Sequence, residues 1–315
     1  LSGRKEAVTI RGEKITHMGD KLHGVNYING DGLLIVPGII DPHVHFRTPG
    51  GEHKETWKTG AKAAVLGGVT TVFDMPNTDP PLITEKLIEE KICLIEKQEA
   101  DINYRLWFGA TADNLAEMRG ALKHKKVCGV KVYMGSSTGN LLVADDISLR
   151  KIFALCAEMD AIIGLHAEDE KMIKANRAYL KRELFVCDHG KIRNIEAEVS
   201  AVRRALRLQR ETGVRLYFCH LSAPKSVELV KDAKDRGAKV FSEICPHHFR
   251  LSDERLSGYN GSFFKVNPPL RDIAQSKRLK ELLLRDGYID CIGSDHAPHT
   301  IEEKSETQYD KIPIG

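Results

Sequence analysis

Apolar positions in this chain fall into short runs separated by stretches of helical period. From about residue 34, runs of strand length at 34–46, 69–75, 104–110, 127–134, 161–166, 214–220, 238–244 and 289–294 alternate with helix-like patterns at 56–66, 84–98, 147–159, 195–212, 224–236 and 275–285. Eight strands with crossover helices predict an α/β fold, a (β/α)8 TIM barrel over residues 37–315, with its chemistry at the C-terminal ends of the strands. Residues 33–40 read as the buried start of the first barrel strand. Ahead of it, residues 6–19 alternate like a hairpin and Val25 to Ile28 adds a second β-like stretch. That is too little sheet to stand alone, so residues 1–36 are expected to be a small, incomplete β domain. No helical pattern follows the eighth strand, and the chain opens on Leu1 and stops at Gly315 after a loop. The expectation is a natural protein that continues past Gly315, because a barrel needs its outer helices to cover the sheet.

The polar residues at the strand ends change the picture from architecture to chemistry. In Asp41-Pro-His-Val-His-Phe-Arg47, His43, His45 and Arg47 are spaced by two and should share one face of a strand. Metal-capable or titratable groups recur at later strand ends: Lys131, His166, Cys219 with His220, Glu243, and Asp295. Imidazoles and carboxylates suit zinc, and a pair of ions can activate water while polarising a carbonyl. Lys131 fits such a set only as a carbamate, formed from carbon dioxide and the neutral amine, which is anionic and can bridge two ions.

Composition excludes other classes. A net charge of +3 gives no footprint for nucleic acid or a membrane surface. No apolar segment approaches a membrane span and no secretory leader pattern is present, so the cytoplasm is the expected location. The seven cysteines lack CxxC spacing and read as small core hydrophobes, with Cys219 beside His220 standing apart.

Two segments, Asp41-Pro-His-Val-His-Phe-Arg-Thr-Pro49 and Gly293-Ser-Asp-His-Ala-Pro-His-Thr-Ile-Glu-Glu-Lys304, resemble the signatures of the dihydroorotases. These belong to the cyclic amidohydrolases, which also include hydantoinases and allantoinases. The resemblance runs from about Arg4 to the last residue. It implies a zinc-dependent enzyme that interconverts N-carbamoyl-L-aspartate and L-dihydroorotate in pyrimidine biosynthesis. Carried over residue by residue, it implies that His43, His45 and Asp295 hold one zinc ion and His166 and His220 the other. Carboxylated Lys131 would bridge them, and Asp295 would be the general base. Many bacterial relatives carry Asp where this chain carries Lys131, so one ion with a partial second is the alternative. Arg47, Asn77, Asn267 and His299 occupy substrate-binding positions, and Arg47 distinguishes a carboxylated substrate from a hydantoin. Ser136, Ser137 and Thr138 match a mobile loop over the substrate.

Cys219 and Glu243, with the far nitrogen of His43, are read either as a third metal position or as support for the first two. One difficulty is that Cys219 and His220, as strand neighbours, should face opposite ways. Glu168 is read as orienting His166, His247 and His248 as making loop hydrogen bonds rather than binding metal, and His296 as structural. His17, His23, His53, His124 and His189 are read as residues of polar surroundings. The partner is a small-molecule substrate, with assembly as a homo-oligomer or with aspartate transcarbamoylase. The rival readings are a hydantoinase, a dihydropyrimidinase or an allantoinase, or a non-catalytic scaffold that would have lost ligands.

Overall fold

The computed structural model describes residues 6–20, 26–137 and 141–315. The chain forms two compact units, Leu1–Pro37 and Gly38–Gly315. In the first, β1 (Ala7–Arg11) pairs antiparallel with β2 (Lys14–Gly19) around Gly12, whose φ of +58° suits a residue without a side chain. The β-like stretch expected at Val25 to Ile28 is not a strand over its described residues, Asn26 to Ile28.

The second unit is a sheet of eight parallel strands: β3 (Ile39–Val44), β4 (Val69–Asp74), β5 (Asn103–Gly109), β6 (Val127–Tyr133), β7 (Ile162–His166), β8 (Arg215–Phe218), β9 (Val240–Ile244) and β10 (Cys291–Ile292). They neighbour one another in chain order, and a parallel bridge from Val44 to His296 brings the last strand end beside the first, a nearly closed barrel. The first barrel strand starts later than the apolar run suggested. Leu33 to Val36 lie outside any strand and, like Ile39 and Ile40, are exposed. An apolar run states which residues favour burial, not which face a neighbour covers.

Crossover helices cover the outside. Their ends follow local chemistry: Thr56, Thr84, Asp145, Asn194 and Asp272 each cap a helix by accepting a backbone N–H, and Pro224 opens another where its missing donor costs nothing. After β10 only the four-residue helix Ile301–Lys304 forms. Among the described residues, no helix is long and apolar enough to cross a membrane.

Alternation along each strand separates two cores. Val130, Val132, Ile163, Leu165, Leu216 and Phe218 point outward into the large core shared with the helices. Trp107 and Tyr217, with Met75 and Cys219, fill the barrel interior. The Trp107 indole fits there because Gly129 and Gly164 lie against it; a Cβ at Gly129 would come within 2.9 Å of the ring. Lys131 and His166 follow these glycines at the next inward positions, so the aromatic plug floors the site.

Candidate active site

The first strand delivers His43 inward, His45 follows directly past its end at Val44, and the end of the last delivers Asp295. Oδ1 of Asp295 lies 3.2 Å from His43 Nε2 and 3.0 Å from His45 Nε2. Across the barrel mouth, His166 Nδ1 lies 3.2 Å from His220 Nε2. Donor atoms of His43, His220 and Asp295 all fall within 4.8 Å of one another. Lys131 is fully buried beneath them, its Nζ 3.0 Å from Cys219 Sγ.

Three of the four imidazoles are aimed by their other nitrogen. His43 Nδ1 meets Glu243 Oε1 at 2.9 Å, His45 Nδ1 meets Asn77 Oδ1 at 2.6 Å, and His166 Nε2 meets Glu168 Oε2 at 2.8 Å. Glu168 is in turn held by Arg193. Asp41 accepts the backbone N–H groups of His43 and Ser294, locking the first strand to the end of the last. His220, Asp295 and Arg47 all have positive φ, between +37° and +53°, conformations that L-residues hold only when their surroundings enforce them. For His220 this resolves the facing problem. β8 ends at Phe218, Cys219 continues the inward alternation after Tyr217, and the left-handed backbone at His220 brings its ring to the same side.

The charges are interdependent. Burial opposes a proton on His43, but Glu243 and Asp295 outweigh it and hold its pKa up at about 10. Burial brings His45 down to about 4 and His220 well below its ordinary value. Burial would raise Asp295, yet His43 and His45 hold it well below the usual carboxylate range. Several donor nitrogens therefore converge beside one ionised carboxylate, His220 Nδ1 is buried without a partner, and Lys131 is buried with no carboxylate paired to it among the described residues. This donor set fits divalent cations.

Arg47, Asn77, Asn267 and Ser137 line the cavity above these donors. Arg47 Nε donates to the Pro298 carbonyl and Nη2 lies 3.0 Å from His299 Nε2, so His299 reaches the cavity through Arg47. Both side-chain polar atoms of buried Asn267 lack partners. Ser136 is tied back through its N–H to Glu170, and Thr138 lies outside the described residues. Sequence reasoning missed Tyr133, whose buried hydroxyl has no partner in a residue lining the same cavity. Its spacing of two from Lys131 was the available signal. His296 pairs with Glu55 at 2.9 Å. His189 corrects the sequence reading: it is buried, with Tyr309 Oη and the Val266 carbonyl on its two nitrogens.

Residues 34–305 match the sequence profile of the amidohydrolase family. A dihydroorotase from Enterococcus faecalis is 37% identical over 289 residues, 91% of this chain and 65% of that protein. One from Lactococcus lactis is 35% identical over 98% of this chain and 71% of its own length. The chain thus spans roughly two thirds of these curated relatives. Among solved structures, an L-hydantoinase (dihydropyrimidinase) from Arthrobacter aurescens superposes with a TM-score of 0.89 at 28% identity, covering 98% of this chain and 70% of that one. A dihydroorotase from Saccharomyces cerevisiae in complex with 5-fluoroorotic acid, at 20% identity and TM-score 0.70, covers 88% and 73% and shares the fold.

Proposed function

The chain belongs to the amidohydrolase family, and from that premise we propose that it is a dihydroorotase, interconverting N-carbamoyl-L-aspartate and L-dihydroorotate. The observation that carries the reading is Arg47. Its buried guanidinium lines the cavity two residues after His45, where it can pair with a substrate carboxylate that hydantoins lack. The Asn267 amide, unpartnered in the same wall, supplies further hydrogen bonds to the bound acid.

We assign His43, His45 and Asp295 to one zinc ion, His166 and His220 to a second, and carboxylated Lys131 to the bridge. Ions held there would acidify a water and polarise the ring amide carbonyl. Asp295, ionised and aimed by two imidazoles, takes the proton from the attacking water and returns it to the departing ring nitrogen. In the cyclising direction the same carboxylate removes the ureido proton. Tyr133 Oη is placed to donate to a developing oxyanion, and burial keeps it protonated. Ser137, in the wall of the same cavity, would contact the bound substrate. Donor atoms of His43, Cys219 and Glu243 lie within 4.8 Å of one another, the set for a third ion, and Glu243 also takes His43 Nδ1, the His220 N–H and the Tyr217 hydroxyl, the contacts of a group that orients the first two. Cytoplasmic location, and assembly with itself or with aspartate transcarbamoylase, belong to the same proposal.

Likeness to the hydantoinase structure favours a second reading, in which the substrate is a neutral cyclic amide. Turnover of dihydroorotate, hydantoin, dihydrouracil and allantoin on metal-analysed protein separates the two. Hydrolysis of dihydroorotate well above the others is expected, and preference for a neutral ring would overturn the assignment. Absence of all four activities with metal bound would point to the scaffold.

A further inference from the structure

Directly after β9 the chain turns through Cys245 into the short helix Pro246–Arg250. Cys245 and His248 are buried and His247 is half-buried. One donor atom from each of these three residues lies within 4.8 Å of the other two, and none belongs to the catalytic set. Their hydrogen bonding is incomplete. His248 Nε2 donates to the Pro268 carbonyl at 2.9 Å, which fixes the tautomer and leaves Nδ1 with its lone pair free. That Nδ1 is buried without a partner, and so is Nε2 of His247. Leaving such an atom unsatisfied destabilises the fold, a cost that a bound ligand would remove. An imidazole that gives one N–H to a backbone carbonyl while its other nitrogen stays open is the arrangement that prepares histidine for a metal.

We propose that Cys245, His247 and His248 bind a divalent ion of the zinc class, separate from the ions of the catalytic site. One sulfur and two imidazole nitrogens match the ligand preference of zinc, with solvent completing a tetrahedron. On binding, the Cys245 thiol releases its proton to solvent and the thiolate takes the ion; nothing is oxidised or reduced. Through His248 the ion ties the turn after β9 to Pro268, next to Asn267 in the cavity wall. The site thus supports that wall from behind.

The test uses the full chain, stripped with a chelator and reloaded with cobalt(II) alone. A sulfur-to-cobalt charge-transfer band in the near ultraviolet reports thiolate ligation. The parent and Cys219→Ser, which removes the thiol beside Lys131, should both show the band. Cys245→Ser should lose it and bind one ion fewer per chain. His247→Asn alters a half-buried position that can change without emptying the core, and it should weaken the band and the ion count in the same direction. No band in the parent, a band that survives Cys245→Ser, one lost in Cys219→Ser, or an unchanged ion count in both Cys245→Ser and His247→Asn would overturn the proposal.

Discussion

Lys131 Nζ stands 3.0 Å from Cys219 Sγ on the floor of the site, and among the described residues no carboxylate pairs with it. A buried ammonium in that position would be uncompensated, which costs several kcal/mol. A carbamate reverses the sign of the charge and suits the surrounding donors. Lys131→Ala should therefore lose most bound metal and most activity, and small carboxylic acids should restore part of both. Full metal content and rate in that variant would remove the bridging role.

Arg47 sets the preference for a carboxylated substrate. Arg47→Gln should lower kcat/KM for dihydroorotate by about 100-fold, near 3 kcal/mol, the scale of a lost charge-assisted hydrogen bond. Turnover of a neutral cyclic amide should hardly change. An equal loss on both substrates would mean that Arg47 supports the fold rather than specificity.

Tyr133 carries a buried hydroxyl without a partner. In Tyr133→Phe, kcat should fall by about 100- to 1000-fold with metal content intact, as for loss of one oxyanion donor. The same substitution removes an unsatisfied polar atom, so the melting temperature should stay level or rise. Unaltered kinetics would leave the hydroxyl without a catalytic role.

His189 links stability to pH. Burial, reinforced by Arg193, brings its pKa down to about 3, so the folded protein keeps it neutral. Unfolded, it takes up a proton near its ordinary 6.5. Its contribution to stability is complete above pH 6.5 and is lost towards pH 3, at about 1.4 kcal/mol per pH unit. His189→Gln can keep both hydrogen bonds without titrating. The stability advantage of the parent over this variant, from urea unfolding, should shrink between pH 6.5 and 5, whereas parallel curves would contradict the assignment.

Much of this protein was legible in one dimension. Seven of the eight strands and the six helices read from the pattern fell within a few residues of their observed positions, because period-two and period-3.6 patterns are local properties of the chain; the first strand began five residues later than read, and the helices Leu115–Ala121 and Glu170–Tyr179 went unread. Spacing marked His43, His45 and Arg47 as one group and strand ends marked Lys131, His166 and Glu243, but the first strand stops at Val44 and Arg47 has a left-handed backbone, so His45 and Arg47 reach the cavity through the turn and not by strand alternation. Only the tertiary structure could place Cys219 and His220 together, since that depends on a left-handed residue after β8. Tertiary structure alone decided that His189 is buried between Tyr309 and Val266, 120 and 77 residues away in sequence. It also left Tyr133 Oη, both polar atoms of Asn267 and the free nitrogens of His247 and His248 without partners. The physical reason is range: periodicity fixes which way a side chain faces, whereas desolvation and pairing depend on what distant segments bring to meet it.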